Sequence, residues 1–266
     1  KNQFGIMLGR LFPESVAKYN RFPKRWKSEF IFSKKIGFNY IEFLFDEDLS
    51  KLNPIHSNNF RQILNNSIKT KQRSYSIVIN FFAKNNFFSN LKKSEKILKH
   101  IIYVCKKIKI KMIIMPLLEK RSLNKKKLNQ FLKIMYEEIK NTNLLCSVEM
   151  DAKTSLKDKK RLFPKYFPKI GICYDTGNSI SDKTILDHEI ITLGKLVTHL
   201  HLKDKIRIKK KYFNTYLGEG KLNFHKLKYA LNKIKYRKKI TFECYYSSSA
   251  LDDAKRNMNY ACKNLL

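Results

Sequence analysis

Four residues of the sequence have types and positions that could do chemistry together. They are Glu149 in LLCSVEM, Asp175 in IGICYDTGN, His201 in THLHLKD and Glu243 in ITFECYY. Each lies in a short apolar run of the kind that forms a buried strand. Three carboxylates and an imidazole brought together away from water repel one another and lose their hydration, at a cost of many kcal/mol. One bound dication removes that cost, and oxygen donors with a single imidazole suit Mn²⁺, Mg²⁺, Co²⁺ or Zn²⁺. A hydrogen-bonded core network without an ion is the other reading of the same four groups.

His199 and His201 alternate with leucines, so both belong to one face of their strand. Only one can take the ligand position nearest the strand's end. We assign it to His201 and read His199 as a packed, hydrogen-bonded neighbour. His100, His188 and His225 lie in helical segments and are read as surface residues. His56, in the loop after the second strand, is a candidate substrate contact.

These groups need strands to position them. Eight runs qualify, at 4–9, 40–45, 76–82, 112–117, 144–150, 170–176, 196–202 and 240–246. Between them, segments such as Trp26–Ile36, Leu91–Ile108, Leu128–Ile139 and Phe224–Ile234 carry apolar residues three and four apart, and Ala250–Leu266 reads as a closing helix. Strands alternating with helices imply a parallel sheet, and eight such units imply a single (β/α)₈ TIM barrel over residues 1–266. In that architecture the C-terminal ends of the strands form the active face, which is where Glu149, Asp175, His201 and Glu243 fall. The Lys-rich stretch 204–217 is expected to be a surface loop. There is no GxGxxG, no GxxxxGK[ST] and no CxxC.

The formal net charge is +34, which invites a nucleic-acid reading. However, 46 of the basic residues are Lys and only 10 are Arg, the residue whose planar fork best reads phosphate and bases. Asn, Ile, Phe and Tyr are also abundant, as in a chain encoded by an AT-rich genome. We therefore read the charge as compositional, with lysines solvated on outer helices and no specific nucleic acid as partner. Five cysteines at 105, 146, 173, 244 and 262, without CxxC, fit reduced thiols and a cytoplasmic protein. No apolar run is long enough to span a bilayer, so no membrane role is expected. The sequence leaves open whether the chain forms a homo-oligomer.

YDTGN, HLHLKD and LGEGKLNF, in this order and spacing, resemble the xylose isomerase-like TIM barrel superfamily. Within it they are similar to the sugar phosphate isomerase/epimerase branch of ketose 3-epimerases and of hydroxypyruvate- and inosose-type enzymes. FPKRWKSEF and IGFNYIEFLFDE resemble the same group's first helix and second strand. The resemblance implies a metal site at Glu149, Asp175, His201 and Glu243, with a sugar, sugar phosphate or related polyol ketone as substrate. It further implies that Glu149 and Glu243 are the catalytic acid/base pair, passing a proton off and onto a carbon beside a carbonyl. The metal would polarise that carbonyl and stabilise the enediolate.

The chain departs from the family pattern at two positions. Asn178 stands where epimerases often have a His three residues after the strand-six Asp, and Ser155 stands where some carry a second Glu. Asn178 could bond a substrate hydroxyl but not relay a proton. Lys203 is assigned to a substrate oxygen or phosphate and Asp204 to orienting a neighbour. Glu42 would meet substrate hydroxyls or form an ion pair with a barrel Lys. Two rival readings are an apurinic endonuclease, which would need further His and acidic ligands, and a catalytically silent sugar-binding barrel.

Overall fold

Eight parallel strands close into a barrel in the order β1-β10-β7-β6-β5-β4-β3-β2. They are β1 (Gln3–Met7), β2 (Tyr40–Phe45), β3 (Arg73–Ile79), β4 (Met112–Leu117), β5 (Leu145–Met150), β6 (Ile170–Asp175), β7 (Val197–Leu202) and β10 (Lys239–Phe242). The computed structural model describes residues 3–13, 21–46, 50–118, 124–150, 154–180 and 185–265. Seven of these strands are buried along their length apart from at most one end residue, as expected of strands covered by helices outside and packed side chains within.

Nine helices connect or close the strands among the described residues. They are α1 (Trp26–Ile36), α2 (Arg61–Thr70), α3 (Phe81–Lys84), α4 (Leu91–Ile108), α5 (Lys125–Ile139), α6 (Leu156–Leu162), α7 (Leu186–Leu193), α8 (Phe224–Lys233) and α9 (Ala250–Leu265). Their starts follow from side chains that stop the backbone donors going unpaired. Asn90, Asn124, Ser155 and Asn223 each accept from the backbone N–H three residues on. On α4 the buried positions Leu98, Ile101, Ile102, Cys105 and Ile108 form one stripe against the barrel. Each buried aliphatic or aromatic side chain of this kind is worth about 1.5–3 kcal/mol. Phe4, Phe38 and Phe242 meet where β1 closes against β10, with ring centroids 5.1–5.3 Å apart.

The expected barrel is present, the first strand ends at Met7 rather than at 9, and three further differences from the sequence reading stand out. The third strand stops at Ile79, because Phe81–Lys84 turns into α3. The eighth barrel strand stops at Phe242, so Glu243 sits one residue past it, still tied down by its N–H donating to Leu202 O at 3.1 Å. The stretch 204–217 is not a plain loop. Asp204–Ile208 (β8) and Lys211–Thr215 (β9) pair antiparallel as a hairpin, turning at Lys209 with φ 55°. Leu266, the end of the expected closing helix, lies outside the described residues.

Four cysteines are buried and Cys262 is exposed, and all five are free thiols. Among the described residues no helix is long and apolar enough to cross a membrane.

Candidate metal centre

The strand register places the four candidate groups side by side. Asp175 pairs with His201 across β6 and β7, and Glu149 pairs with Cys173 across β5 and β6, two residues below Asp175. A register irregularity between Ile172 and Cys173 falls just before Asp175, where such shifts re-aim side chains. Glu149, Asp175, His201 and Glu243 are all buried, and each offers a ligand atom within 4.8 Å of the others. Nδ1 of His201 lies 3.4 Å from Glu149 Oε2 and 3.3 Å from Glu243 Oε2.

His201 supplies the test of whether a cation fits. Both of its ring nitrogens are buried without a hydrogen-bond partner. An imidazole in that state, with Nδ1 facing two carboxylate oxygens, has the geometry of a ligand whose electrophile sits among those oxygens. Nε2 points the other way, 2.9 Å from Oε1 of Glu42, a contact too oblique to be an aligned hydrogen bond. The residues fit a hard or borderline dication. Two other groups within ligand distance, Glu42 with His199 and His201, and Glu149 with Cys173 and His201, also contain His201. One shared imidazole favours one ion.

The electrostatics reflect crowded charge. Burial drives the Glu149 carboxyl up to about 7; His201 opposes that shift while Asp175 and Glu243 add to it. Burial also works against the charge of Glu243, yet Lys203, His201 and Arg10 outweigh it and hold that carboxyl well below the usual range. His201 is lowered by burial but raised, on balance well above its ordinary value, by Cys173, Glu42 and Glu149.

Glu42 lies behind His201 rather than at the mouth. It is fully buried, accepts from Ser76 Oγ at 2.7 Å and lies 3.3 Å from His199 Nε2. Among the described residues its partners are His199, His201, Ser76 and Thr241, so the alternative reading of an ion pair with a barrel lysine is not what the structure shows. Burial opposes its charge, and His201 and His199 more than restore it. His199 is packed as expected, bonded to Thr241 Oγ1 at 2.8 Å, which in turn bonds Tyr40 OH at 2.8 Å.

The motif residues of YDTGN and HLHLKD interlock. The backbone N–H of Asn178 donates to Asp175 Oδ1 at 2.8 Å, and its side-chain amide donates to Glu149 Oε1 at 2.6 Å. Thr176 Oγ1 donates to Lys203 O at 2.6 Å. Gly177 has no side chain because a Cβ there would come within 2.7 Å of the Lys203 stem. Asp204 orients its neighbours as expected, accepting from the backbone N–H groups of Lys205, Gly218, Gly220 and Leu222. That ties the hairpin and the LGEGKL turn to the end of β7, and Gly220 is needed because a Cβ would strike Asp204 at 2.1 Å.

Residues 30–264 match the sequence profile of the family described as xylose isomerase-like TIM barrel. The chain belongs to that family. Solved structures of the same fold include a 3-keto-D-glucoside 4-epimerase from E. coli, at 16% identity and TM-score 0.74, covering 99% of this chain and 100% of that one. An IolI protein with a bound zinc atom is similar at 13% identity and TM-score 0.76, covering 99% and 98%. A D-allulose 3-epimerase from Methylomonas sp., in complex with D-allulose, is similar at 11% identity and TM-score 0.76, covering 99% and 97%. At such identities these likenesses concern the fold. No curated protein matches the chain significantly in sequence.

As a xylose isomerase-like barrel, the protein carries its remaining candidate residues at varied distances from the four groups. Lys203 is drawn directly among them, with Nζ 3.0 Å from both Asp175 Oδ2 and Glu243 Oε1. Asn178 is also in contact, through Glu149. His56 is held 3.3 Å from Asp46 Oδ1 and against the ring of Phe45, and no contact joins it to the four groups. Ser155, one of the two departures, caps α6 through the N–H of Asp158. Two contributors were missed by the sequence reading. Arg10, just beyond β1, is buried with Nη2 3.5 Å from Glu243 Oε1, and Lys205 Nζ reaches Asn178 Oδ1 at 3.3 Å. A basic residue after strand one and one among many lysines in a charged run carried no signal that set them apart.

Proposed function

We propose that the protein is a metal-dependent isomerase or epimerase acting on a sugar, sugar phosphate or related polyol ketone. The observation that carries this reading is the convergence of Glu149, Asp175, His201 and Glu243 from four adjoining strand ends on one buried point. Those four residues would hold one divalent ion, and His201 would ligate it through Nδ1. The ion, when bound, would supply electrophilic stabilisation of the negative charge that develops as a carbon beside a carbonyl loses its proton. The glutamates do the proton transfer. Glu243, whose carboxyl is held ionised, takes the proton, and Glu149, whose carboxyl burial raises, returns one to the other face. In the reverse direction the roles exchange. Asn178 holds Glu149 in place but has no proton to relay. Burial of all four groups excludes bulk water from the reacting carbon.

The reading is tested in D₂O with added Mn²⁺ and a panel of ketoses and ketose phosphates. Deuterium should enter one carbon of the correct substrate. Glu149→Gln and Glu243→Gln should each lower exchange by about 10²–10⁴-fold. Wash-in that survives in both variants refutes the assigned roles. Tight Mn²⁺ binding without exchange on any ketose favours a sugar-binding barrel instead.

A further inference from the structure

Lys203 and a dication would compete for the same oxygens. Its ammonium bridges Asp175 Oδ2 and Glu243 Oε1, two of the four groups that would close around an ion. Arg10 shares Glu243 Oε1 from another side, and Lys205 stands one step away through Asn178. Among the described residues, four buried carboxylates at the centre, those of Glu42, Glu149, Asp175 and Glu243, thus face three side-chain cations, a net of one negative charge when the histidines are neutral. A dication turns that into one positive charge. It also takes the counterions of a buried Lys203, and a buried ammonium without a partner is strongly unfavourable.

We propose that the metal-loaded site binds an anionic substrate, its carboxylate or phosphate group taking the place of Asp175 and Glu243 as the partner of Lys203, with Lys205 and Arg10 beside it. The inference rests on the metal-binding part of the proposed function and narrows its substrate to charged ketoses. Binding is ordered in consequence: without the ion, Lys203 is already neutralised and the anion has no site. Lys203 also weakens metal binding in the free protein.

Calorimetry separates these claims from the parent reading. Mn²⁺, then inorganic phosphate or glycolate, are titrated into wild type, Lys203→Met, Lys203→Arg, Lys205→Met and the exposed control Lys226→Met, at an ionic strength that screens the net charge of +34. Lys203→Met should bind Mn²⁺ more tightly than wild type yet bind phosphate or glycolate about tenfold more weakly once loaded, the loss expected for one charge-assisted hydrogen bond. Lys203→Arg should restore anion binding, Lys205→Met should lose several-fold, and Lys226→Met should match wild type. The metal-stripped wild type should bind neither anion. Preference for phosphate over glycolate, or the reverse, identifies the charged group. Equal anion affinity in wild type, Lys203→Met and Lys205→Met, or with and without Mn²⁺, overturns the proposal while leaving the metal site intact. Absence of Mn²⁺ binding in wild type overturns both. If Lys203→Met does not fold, Lys205→Met and the comparison of loaded with stripped wild type still decide.

Discussion

His201 and Glu42 face each other across 2.9 Å, Nε2 to Oε1, on the side of the imidazole turned away from the other three candidate ligands. A carboxylate this close to the far nitrogen of a ligating histidine raises the ring's basicity through its charge, without an aligned hydrogen bond. Glu42→Gln keeps the shape and removes the charge. Its Mn²⁺ affinity, followed by loss of the free-ion signal in electron paramagnetic resonance, should fall by about 10–100-fold. Wild-type affinity in this variant would show that Glu42 does not support the ligand.

Metal affinity should depend on pH with a definite sign. The Glu149 carboxyl titrates at about 7, and His201 is raised above its ordinary value. Protons on these groups must leave before a cation can enter, so apparent affinity rises with pH. The gain should be up to about tenfold per pH unit for each proton displaced, levelling off once both groups have lost theirs. Mn²⁺ titrations from acid to mildly alkaline buffer check this, and an affinity flat across neutrality would contradict it.

Glu29 gives a stability prediction away from the ion. It is fully buried on α1, accepting from the N–H groups of Gly9 and Phe12 at 2.8 and 2.9 Å, and burial raises its pKa from 4.5 to about 7. Unfolded chains lose this proton near 4.5 and the folded protein near 7, so in that window the native state binds more protons. Stability therefore falls as pH rises from 4.5 to about 7 and is flat in this respect above it. The change is at most ~3 kcal/mol. Denaturant unfolding across this window should show a steeper decline in wild type than in Glu29→Gln, where Glu149, raised in the same way, still contributes.

DNA binding, if it is found, should fall steeply with salt and show no preference for abasic sites, as expected for counterion release from a chain of net charge +34. Cleavage of an abasic duplex at physiological salt, lost in His201→Ala, would support a nuclease instead.

The barrel was legible in the sequence because apolar runs separated by helix-period segments admit few architectures, and all eight barrel strands lie where those runs are. The four central residues were legible because ionisable groups inside such runs are conspicuous. What escaped depends on three-dimensional partners. Glu42 sits in a run as apolar as that of Glu149, and only the closed barrel shows that it faces His201. The hairpin escaped because Lys205–Ile208 alternates charged and apolar residues within a basic run dominated by its charge. Lys203 was expected at a substrate oxygen, and its bridge between Asp175 and Glu243 follows from Gly177 leaving room for its stem.

The column of polar groups beneath the site, from His201 through His199 and Thr241 to Tyr40, also bears on how the chain finds its pairing. A slip of β7 by one residue would turn Leu200 and Leu202 into the barrel and drive both imidazoles outward among apolar helix contacts. Thr241 and Glu42 would then be left buried without their partners. An all-apolar barrel would tolerate such a slip at modest cost, whereas this one penalises it at several groups at once. The same histidine proposed to hold an ion therefore serves, before any ion arrives, as a registration mark for strand assembly.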